Sequence, residues 1–187
     1  MPILVDLDGT LFDTFDAHYC SYKDVLADYG FFLHKELFRQ EFFGHSSLDF
    51  LSELGFDAEG CKEIISRKRA SFPRHLSKVV LHVNLYDLLR KVKGQDHIAL
   101  FTNAQRETVD LLFSRFGISN LFDSIHTIDD FIISKPSHES FEIVLRQIPK
   151  GKVFLIDDMQ ENLLSSKNFG VIPIDITQII DGFSLTL

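Results

Sequence analysis

The sequence predicts an α/β protein in which a parallel β-sheet is covered by helices and a helical segment is inserted after the first strand. Short apolar runs of strand length alternate with segments in which apolar residues recur at the helical spacing i, i+3, i+4 and i+7. Strands that alternate with helices of this length imply right-handed crossovers and a parallel sheet. The stretch from about residue 14 to residue 81 breaks this alternation, because it is helical throughout and contains no convincing buried strand.

Three apolar runs have the length and composition of buried parallel strands. They cover residues 3–5, 98–101 and 153–156, and each is bounded by polar residues. Two weaker candidates cover residues 124–127 and 171–174. We therefore expect a sheet of about five strands.

The predicted helices of the sheet region follow these strands in turn. Their apolar stripes lie within residues 85–92, 109–116, 141–148 and 160–169. A glycine follows three of these stripes, and glycine is the residue that most readily ends a helix in the left-handed conformation. Helices between consecutive parallel strands cover both faces of the sheet.

The insertion contains three further stripes of helical spacing. They lie within residues 22–29, 48–54 and 61–65, and Gly30 and Gly55 follow the first two. The sequence therefore predicts an all-helical domain at residues 15–81, inserted into a sheet domain made of residues 1–14 and 82–187.

Composition excludes several classes of protein. The chain has 187 residues, of which 45% are hydrophobic and 25% charged, and these are ordinary values for a globular domain. Its formal net charge of −8 opposes non-specific binding to nucleic acid or to an anionic membrane. No apolar run has the length of a membrane span, and the N-terminus lacks the features of a signal peptide. We expect a cytoplasmic protein, with Cys20 and Cys61 as small buried hydrophobes.

Polar side chains follow the three strongest strands at the point where each strand ends. The residues concerned are Asp6, Asp8, Thr102, Asn103, Asp157 and Asp158. Because ligands of open α/β sheets bind beyond the carboxyl ends of the strands, we expect these side chains to converge on one crevice. Several carboxylates this close repel one another unless a cation lies among them, and oxygen ligands favour Mg²⁺.

Four strings of this sequence, in order, resemble the signatures of the haloacid-dehalogenase-like (HAD) hydrolase superfamily. They are Asp6-Leu7-Asp8-Gly9-Thr10-Leu11, Leu100-Phe101-Thr102-Asn103, Lys135-Pro136, and Ile156-Asp157-Asp158 followed by Asn162 and Gly170. The resemblance spans the whole sheet region and favours the phosphoglycolate phosphatase and β-phosphoglucomutase-like subgroup. It implies a Rossmann-like core, the HAD fold, with a helical cap at the position of the insertion.

The resemblance also implies a mechanism. Asp6 would be the nucleophile that forms an aspartyl-phosphate, and Asp8 would protonate the leaving group and then take a proton from the attacking water. Thr102, the backbone amide of Asn103 and the Lys135 ammonium would hold the phosphoryl oxygens. Members of the superfamily that dehalogenate lack an acid at the position of Asp8, so this residue favours phosphate-ester chemistry.

The same resemblance implies a magnesium site. Its ligands would be the Asp6 carboxylate, the Asp8 backbone carbonyl and Asp158. Asp158 lies twelve residues before Gly170, and this spacing favours it over Asp157 as the direct ligand. Asp157 would then support the ligands from beside them.

These features predict a Mg²⁺-dependent phosphatase for a small phosphorylated metabolite, such as phosphoglycolate, a sugar phosphate or a nucleotide. Two alternatives stay open. One is a β-phosphoglucomutase-like phosphotransferase, and the other is a non-catalytic protein that binds phosphate or Mg²⁺. The oligomeric state is left as monomer or homodimer.

The insertion contains further candidates for contact with a substrate. They are His45 and Ser46, the basic run Arg67, Lys68 and Arg69, and the aromatic residues Phe12, Phe15 and Phe42 at or near its ends and within it. Charged runs usually form a solvated face, and aromatic residues usually lie in a core. We therefore expect surface charge and core packing, with substrate contact as the alternative.

Overall fold

The computed structural model describes residues 1–44 and 46–180. The strands are Pro2–Val5 (β1), Phe12–Asp13 (β2), Val80–Leu81 (β3), His97–Phe101 (β4), Ser124–His126 (β5), Phe154–Asp157 (β6) and Ile172–Asp175 (β7). The α-helices are Phe15–Ala27 (α1), Lys35–Leu37 (α2), Ser47–Glu53 (α3), Ala58–Ser71 (α4), Val83–Val92 (α5), Arg106–Phe116 (α6), His138–Gln147 (α7), Gln160–Ser166 (α8) and Thr177–Ile180 (α9). A π-helix at Phe38–Phe42 and 3₁₀ helices at Phe72–Lys78, Ile128–Asp130 and Lys167–Phe169 complete the set.

The chain divides into two compact units. One contains residues 1–12 together with the described residues from 81 onward, and the other is Asp13–Val80. The sequence predicts these boundaries at 14/15 and 81/82. The short strands β2 and β3 lie at the two points where the chain passes from one unit to the other.

The first unit is built on a parallel sheet with strand order β5-β4-β1-β6-β7. Strand β1 lies at its centre, where Leu4 is opposite Ala99 of β4 and Leu155 of β6. Buried strands of this kind need apolar residues on both faces, and all four residues of β1 are buried. The predicted α/β fold with a parallel sheet is confirmed, and each predicted strand lies within one residue of its observed bounds at either end.

One hydrophobic cluster of the first unit joins the sheet to the helices that follow β5 and β6. This cluster contains Leu4, Ala99, Phe101, Phe141, Val144, Ile148, Val153, Leu155, Leu163 and Val171. Further buried apolar residues of β1, β4, α5 and α6 lie outside it, among them Val5, Leu100, Leu85 and Val109. The rings of Phe101 and Phe141 meet edge to face with centroids 5.2 Å apart, a favourable arrangement for two aromatic quadrupoles. Helix α6 ends as the sequence predicts, since Gly117 adopts the left-handed conformation there. Gly170 adopts the same conformation at the end of the 3₁₀ helix Lys167–Phe169, which continues from α8.

The second unit is helical and has an aromatic core of its own. The core residues are Phe15, Tyr22, Val25, Leu26, Leu33, Phe38, Phe50, Leu51, Cys61 and Ile64. Cys61 is buried as predicted, whereas Cys20 is half-buried. The π-helix and the 3₁₀ helix at Phe72–Lys78 were not predicted, because neither has the spacing of an α-helical stripe. Among the described residues, no helix combines the length and the apolar character needed to span a membrane.

Candidate active site

Two of the predicted carboxylates lie side by side at the carboxyl edge of the sheet. Asp6 directly follows β1, and its backbone amide donates to the carbonyl of Ile156, the residue before Asp157 in β6. Because β1 and β6 are parallel neighbours, their ends place these two side chains at the same edge. Both are buried, with 5% of Asp6 and none of Asp157 exposed.

Lys135 connects the two carboxylates. Its ammonium donates to Asp6 Oδ1 at 2.6 Å, to Asp157 Oδ2 at 2.7 Å and to the carbonyl of Phe101 at 2.9 Å. Only 4% of the residue is exposed, so the charge is compensated inside the protein. The structure therefore brings the lysine that the sequence singled out to the same point as the two aspartates.

Asp157 is held by donors on both of its oxygens. Asn162 donates its side-chain amide to Oδ1 and Oδ2 at 3.0 Å each, and the backbone amide of Met159 donates to Oδ1 at 2.9 Å. With Lys135 on Oδ2 as well, this carboxylate has a fixed orientation. The role of Asn162 was not predicted, although its position five residues after Asp157 in the fourth signature was the available signal.

The side chain of Asn103 has a role that the sequence analysis missed. It accepts from the backbone amide of Lys135 and donates to the backbone carbonyl of the same residue, both at 2.9 Å. These two bonds fix the loop that carries the lysine. Thr102 is 1% exposed, and its hydroxyl accepts from the amide of Ala104 at 3.0 Å while it keeps its own hydrogen for donation. The phosphate contacts predicted for both residues stay predictions.

Asp158 contacts the loop that follows β1. Thr10 donates its hydroxyl to Asp158 Oδ1 at 3.1 Å. Gly9 has a φ of +83°, and a Cβ built on it would fall 2.6 Å from Asp158 Cγ and closer still to Oδ2. Asp8, the predicted acid, is half-buried in the same loop. The loop therefore needs glycine at position 9 both for its backbone conformation and for the space that the carboxylate occupies.

The substitution Gly9→Ala should lower the free energy of unfolding by more than the cost of its φ alone. A non-glycine residue in the left-handed region costs roughly 1–2 kcal/mol, and the displaced Asp158 carboxylate should add about 1 kcal/mol or more. Urea unfolding of the purified protein measures this loss.

Gly94 provides a matched control, since its φ is +86° and a Cβ there would meet nothing within 4 Å. Gly94→Ala should therefore lower the free energy of unfolding only by the cost of placing alanine at a positive φ. Equal losses in the two variants would contradict the close approach between Gly9 and Asp158.

Burial and mutual repulsion control the ionisation of this cluster. Burial raises the pKa of Asp6 well above its usual range; Lys135 opposes the shift, and Asp157 and Asp158 reinforce it. Burial, followed by repulsion from Asp157, raises the pKa of Asp158 to about 6. Burial acts to lower the pKa of Lys135, but attraction to Asp157 and Asp6 outweighs it and raises that pKa above the ordinary lysine value.

These pKa shifts predict that the metal-free protein loses stability as the pH rises from about 4 to above 6. The folded state holds a proton on Asp158 up to about pH 6, whereas the unfolded chain releases it near 3.8. Protonation therefore stabilises the fold fully below the unfolded pKa, and this contribution is lost as the pH passes the folded pKa. Asp6 acts in the same direction. Urea unfolding with a chelator should show a loss on the order of 2–3 kcal/mol from Asp158.

Asp158→Asn should remove the part of this pH dependence that Asp158 contributes, because an amide does not ionise. The control is Asp110→Asn, since Asp110 lies exposed on α6 in an i, i+4 ion pair with Arg106. A pH profile that Asp158→Asn leaves unchanged would contradict the assignment.

The donor set fits a divalent cation. Carboxylate oxygens of Asp6, Asp157 and Asp158 lie within 4.8 Å of one another. The ammonium of Lys135 offsets only one of these three negative charges. A divalent cation would relieve the remaining repulsion between the carboxylates. Oxygen donors without nitrogen or sulfur suit a hard ion such as Mg²⁺. Because donors already engage both oxygens of Asp157, the arrangement favours Asp6 and Asp158 as the direct ligands.

The three residues of the basic run in the second unit differ in their exposure. Arg67 pairs with Asp28 near the surface, as expected of a solvated charge, and Arg69 is exposed. Lys68 is half-buried, with its ammonium 2.7 Å from His18 Nδ1 and 5.2 Å from the centre of the Tyr22 ring. Surface charge is therefore the wrong description of Lys68.

The remaining candidates of the insertion have structural roles in their own units. Ser46 caps α3 by accepting from the amide of Asp49. Phe12 packs against Phe116 in the first unit. Phe15 belongs to the core of the second unit, and Phe42 packs against that core. His45 lies outside the described residues.

Comparison with known proteins agrees with this geometry. The family model described as haloacid dehalogenase-like hydrolase matches residues 3–175. This chain belongs to the haloacid dehalogenase-like hydrolase family. The superfamily and the hydrolase class predicted from the four signatures are thereby confirmed.

One sequence relative and two solved structures are similar to this HAD hydrolase over most of their length. Pyrophosphatase PpaX of Bacillus velezensis is 29% identical over 186 residues, covering 96% of this chain and 84% of the relative. A proposed phosphoglycolate phosphatase from Lactobacillus plantarum has the same fold, with a TM-score of 0.84, 17% identity and coverage of 97% of this chain and 88% of that one. CbbY of Rhodobacter sphaeroides, solved in complex with phosphate, has a TM-score of 0.80 and 23% identity, covering 93% and 84%. The two structures thus show the fold that this chain shares, and the sequence relative carries the name of a pyrophosphatase.

Proposed function

We propose that this HAD hydrolase is a Mg²⁺-dependent phosphatase that acts on a small phosphorylated metabolite through an aspartyl-phosphate on Asp6. The observation that carries the proposal is the cluster of Asp6, Asp157 and Asp158, with the buried ammonium of Lys135 bonded to Asp6 and Asp157. A buried nucleophile beside a cation and a metal-binding set is the equipment that phosphoryl transfer needs.

In the first step an Asp6 carboxylate oxygen attacks phosphorus, and the bond between phosphorus and the leaving oxygen breaks. Asp8 gives its proton to that oxygen, so the leaving group departs as a neutral alcohol when the substrate is an ester. Lys135, already bonded to Asp6 Oδ1, holds the nucleophile in one orientation and places positive charge next to the phosphoryl oxygens. The Thr102 hydroxyl and the backbone amide of Asn103 would donate to the same oxygens.

In the second step a water molecule attacks the phosphorus of the aspartyl-phosphate. Asp8, now ionised, takes the proton of that water, and the bond between phosphorus and the Asp6 oxygen breaks to release phosphate. The Asp6 carboxylate and the Asp8 proton are both restored, so the cycle balances. Mg²⁺ held by Asp6, the Asp8 carbonyl and Asp158 would supply charge neutralisation at the phosphoryl oxygens and keep Asp6 ionised.

Pyrophosphate is a second candidate substrate beside phosphate monoesters. The relative from Bacillus velezensis carries the name pyrophosphatase and covers 96% of this chain, which supports testing the anhydride first. Both substrates suit the same two steps, because either one places a phosphoryl group against Asp6. They differ in how much the first step depends on Asp8, since phosphate leaves with less help from an acid than an alkoxide does.

Phosphate release by purified protein with Mg²⁺ tests the proposal. The substrates are pyrophosphate, phosphoglycolate, sugar phosphates and mononucleotides, with Asp6→Asn as the inactive reference. Turnover of at least one compound by the wild type alone supports the proposal. No release from any of them, with wild type and Asp6→Asn identical, would overturn it in favour of phosphate or Mg²⁺ binding without catalysis. Conversion of a sugar 1-phosphate to its 6-phosphate without matching phosphate release would identify a phosphotransferase instead.

A further inference from the structure

The position of the Asp158 carboxylate depends on the loop after β1. Thr10 bonds one carboxylate oxygen, and the backbone of Gly9 lies against the other. Thr10 is fully buried and branched at Cβ, which restricts its χ1, so the position of its hydroxyl follows its backbone. Whatever fixes the backbone of Thr10 therefore fixes Asp158.

His82 holds this backbone from outside the loop. Its ring Nδ1 lies 2.7 Å from the carbonyl oxygen of Thr10, and its backbone amide donates to the carbonyl of Leu11 at 3.0 Å. A carbonyl only accepts, so Nδ1 carries the hydrogen and donates it. His82 thus anchors two consecutive carbonyls of the loop, and the first of them lies 72 positions away in the sequence.

His82 is the N-cap residue of α5, yet its side chain does not cap that helix. Residues at this position usually turn their side chain to the first free amides of their own helix. Here the ring is directed to Thr10 instead, so helix formation does not account for its contact. The contact serves the loop beside Asp158.

We propose that His82 is a positioning residue that holds the Thr10 backbone and, through the Thr10 hydroxyl, the Asp158 carboxylate in the geometry that binds the divalent cation. The inference rests on the proposed function for the role of Asp158 as a metal ligand. Supporting partners one shell out from a ligand typically change metal affinity about 10–100-fold. His82 acts one residue further away, so a loss of about 3–10-fold is expected when its ring is removed.

Calorimetric titration of the full chain with Mg²⁺, without substrate, tests the proposal in three variants. His82→Ala should weaken Mg²⁺ binding by about 3–10-fold. His82→Asn should stay within about 2-fold of the wild type, because the Asn side-chain nitrogen is as many bonds from Cα as Nδ1 is and can also donate. His97→Ala is the matched control, since His97 is a half-buried histidine of the same unit that bonds Ser124 instead, and its Mg²⁺ affinity should be unchanged.

The outcomes separate this inference from the proposed function. Unchanged Mg²⁺ affinity in His82→Ala, equal weakening in His97→Ala, or no rescue by His82→Asn would overturn the positioning role. Absence of Mg²⁺ binding by the wild type would overturn it too. Failure of the wild type to release phosphate, with the predicted order of Mg²⁺ affinities intact, would overturn the phosphatase proposal and leave the role of His82 standing.

Discussion

Replacing Asp6 by Asn should reduce phosphate release by at least about 10³-fold, in keeping with the loss seen when a covalent catalyst is deprived of its nucleophile. An amide oxygen is a poor nucleophile, and the change leaves the size of the side chain almost unaltered. The same substitution should leave the metal-free protein at neutral pH at least as stable as the wild type. Burial already disfavours the Asp6 charge and raises its pKa, so removal of that charge costs the fold nothing.

Steady-state phosphate release and urea unfolding on the same preparations measure both effects. Asp175→Asn is the matched control, because Asp175 ends β7, the edge strand beside β6, and accepts from the amide of Thr177. Its activity should stay within about 2-fold of the wild type, as for other positions that only shape a turn. Activity of Asp6→Asn above one per cent of the wild type would contradict the role of Asp6 as nucleophile.

Replacing Lys135 by Met should cost about 3–5 kcal/mol of unfolding free energy at neutral pH without Mg²⁺. The substitution keeps the buried hydrocarbon chain but removes the charge that compensates Asp6 and Asp157. The fully buried Asp157 then has no ammonium beside it, and any charge on Asp6 repels it without that offset. Phosphate release should fall as well, because the nucleophile loses its orienting donor.

The double variant Asp6→Asn with Lys135→Met keeps this prediction testable should the single variant fail to fold. Removal of one carboxylate relieves the repulsion, so the double variant should regain at least about 1 kcal/mol of coupling energy. Lys93→Met is the control, since Lys93 pairs with Asp123 where both side chains are about a third exposed. Such a surface pair should contribute less than about 1 kcal/mol. A Lys135→Met loss no larger than that of Lys93→Met would contradict the account.

The sequence predicts that the site residues lie close together, because the position of each is set by the buried strand that it follows. A buried parallel strand is recognisable from a short apolar run, and the residues after it must lie at the carboxyl edge of the sheet. That reasoning places Asp6, Thr102 and Asp157 together without coordinates. The lysine at position 135 follows no recognised strand, and its place came from the family resemblance alone.

The bonds that brace the site were not predictable, because they join loops whose paths have no periodic signal. The Asn103 side chain bonds the backbone of Lys135, and the His82 ring bonds that of Thr10. Both contacts link residues far apart in sequence through backbone groups that every residue possesses. Composition and spacing cannot indicate which side chain reaches such a group, whereas the folded geometry identifies the partner directly.

Detection of a phosphoryl group on Asp6 tests the central claim most directly. The Asp8→Asn variant, mixed with Mg²⁺ and with a substrate whose leaving group departs without an acid, should form the aspartyl-phosphate and hydrolyse it slowly. Acid quenching followed by peptide mass spectrometry should then find one phosphoryl group on the peptide that contains Asp6, and none after the same treatment of Asp6→Asn. Turnover by the wild type without phosphorylation of Asp6 in either protein, or with the phosphoryl group on another residue, would contradict the account.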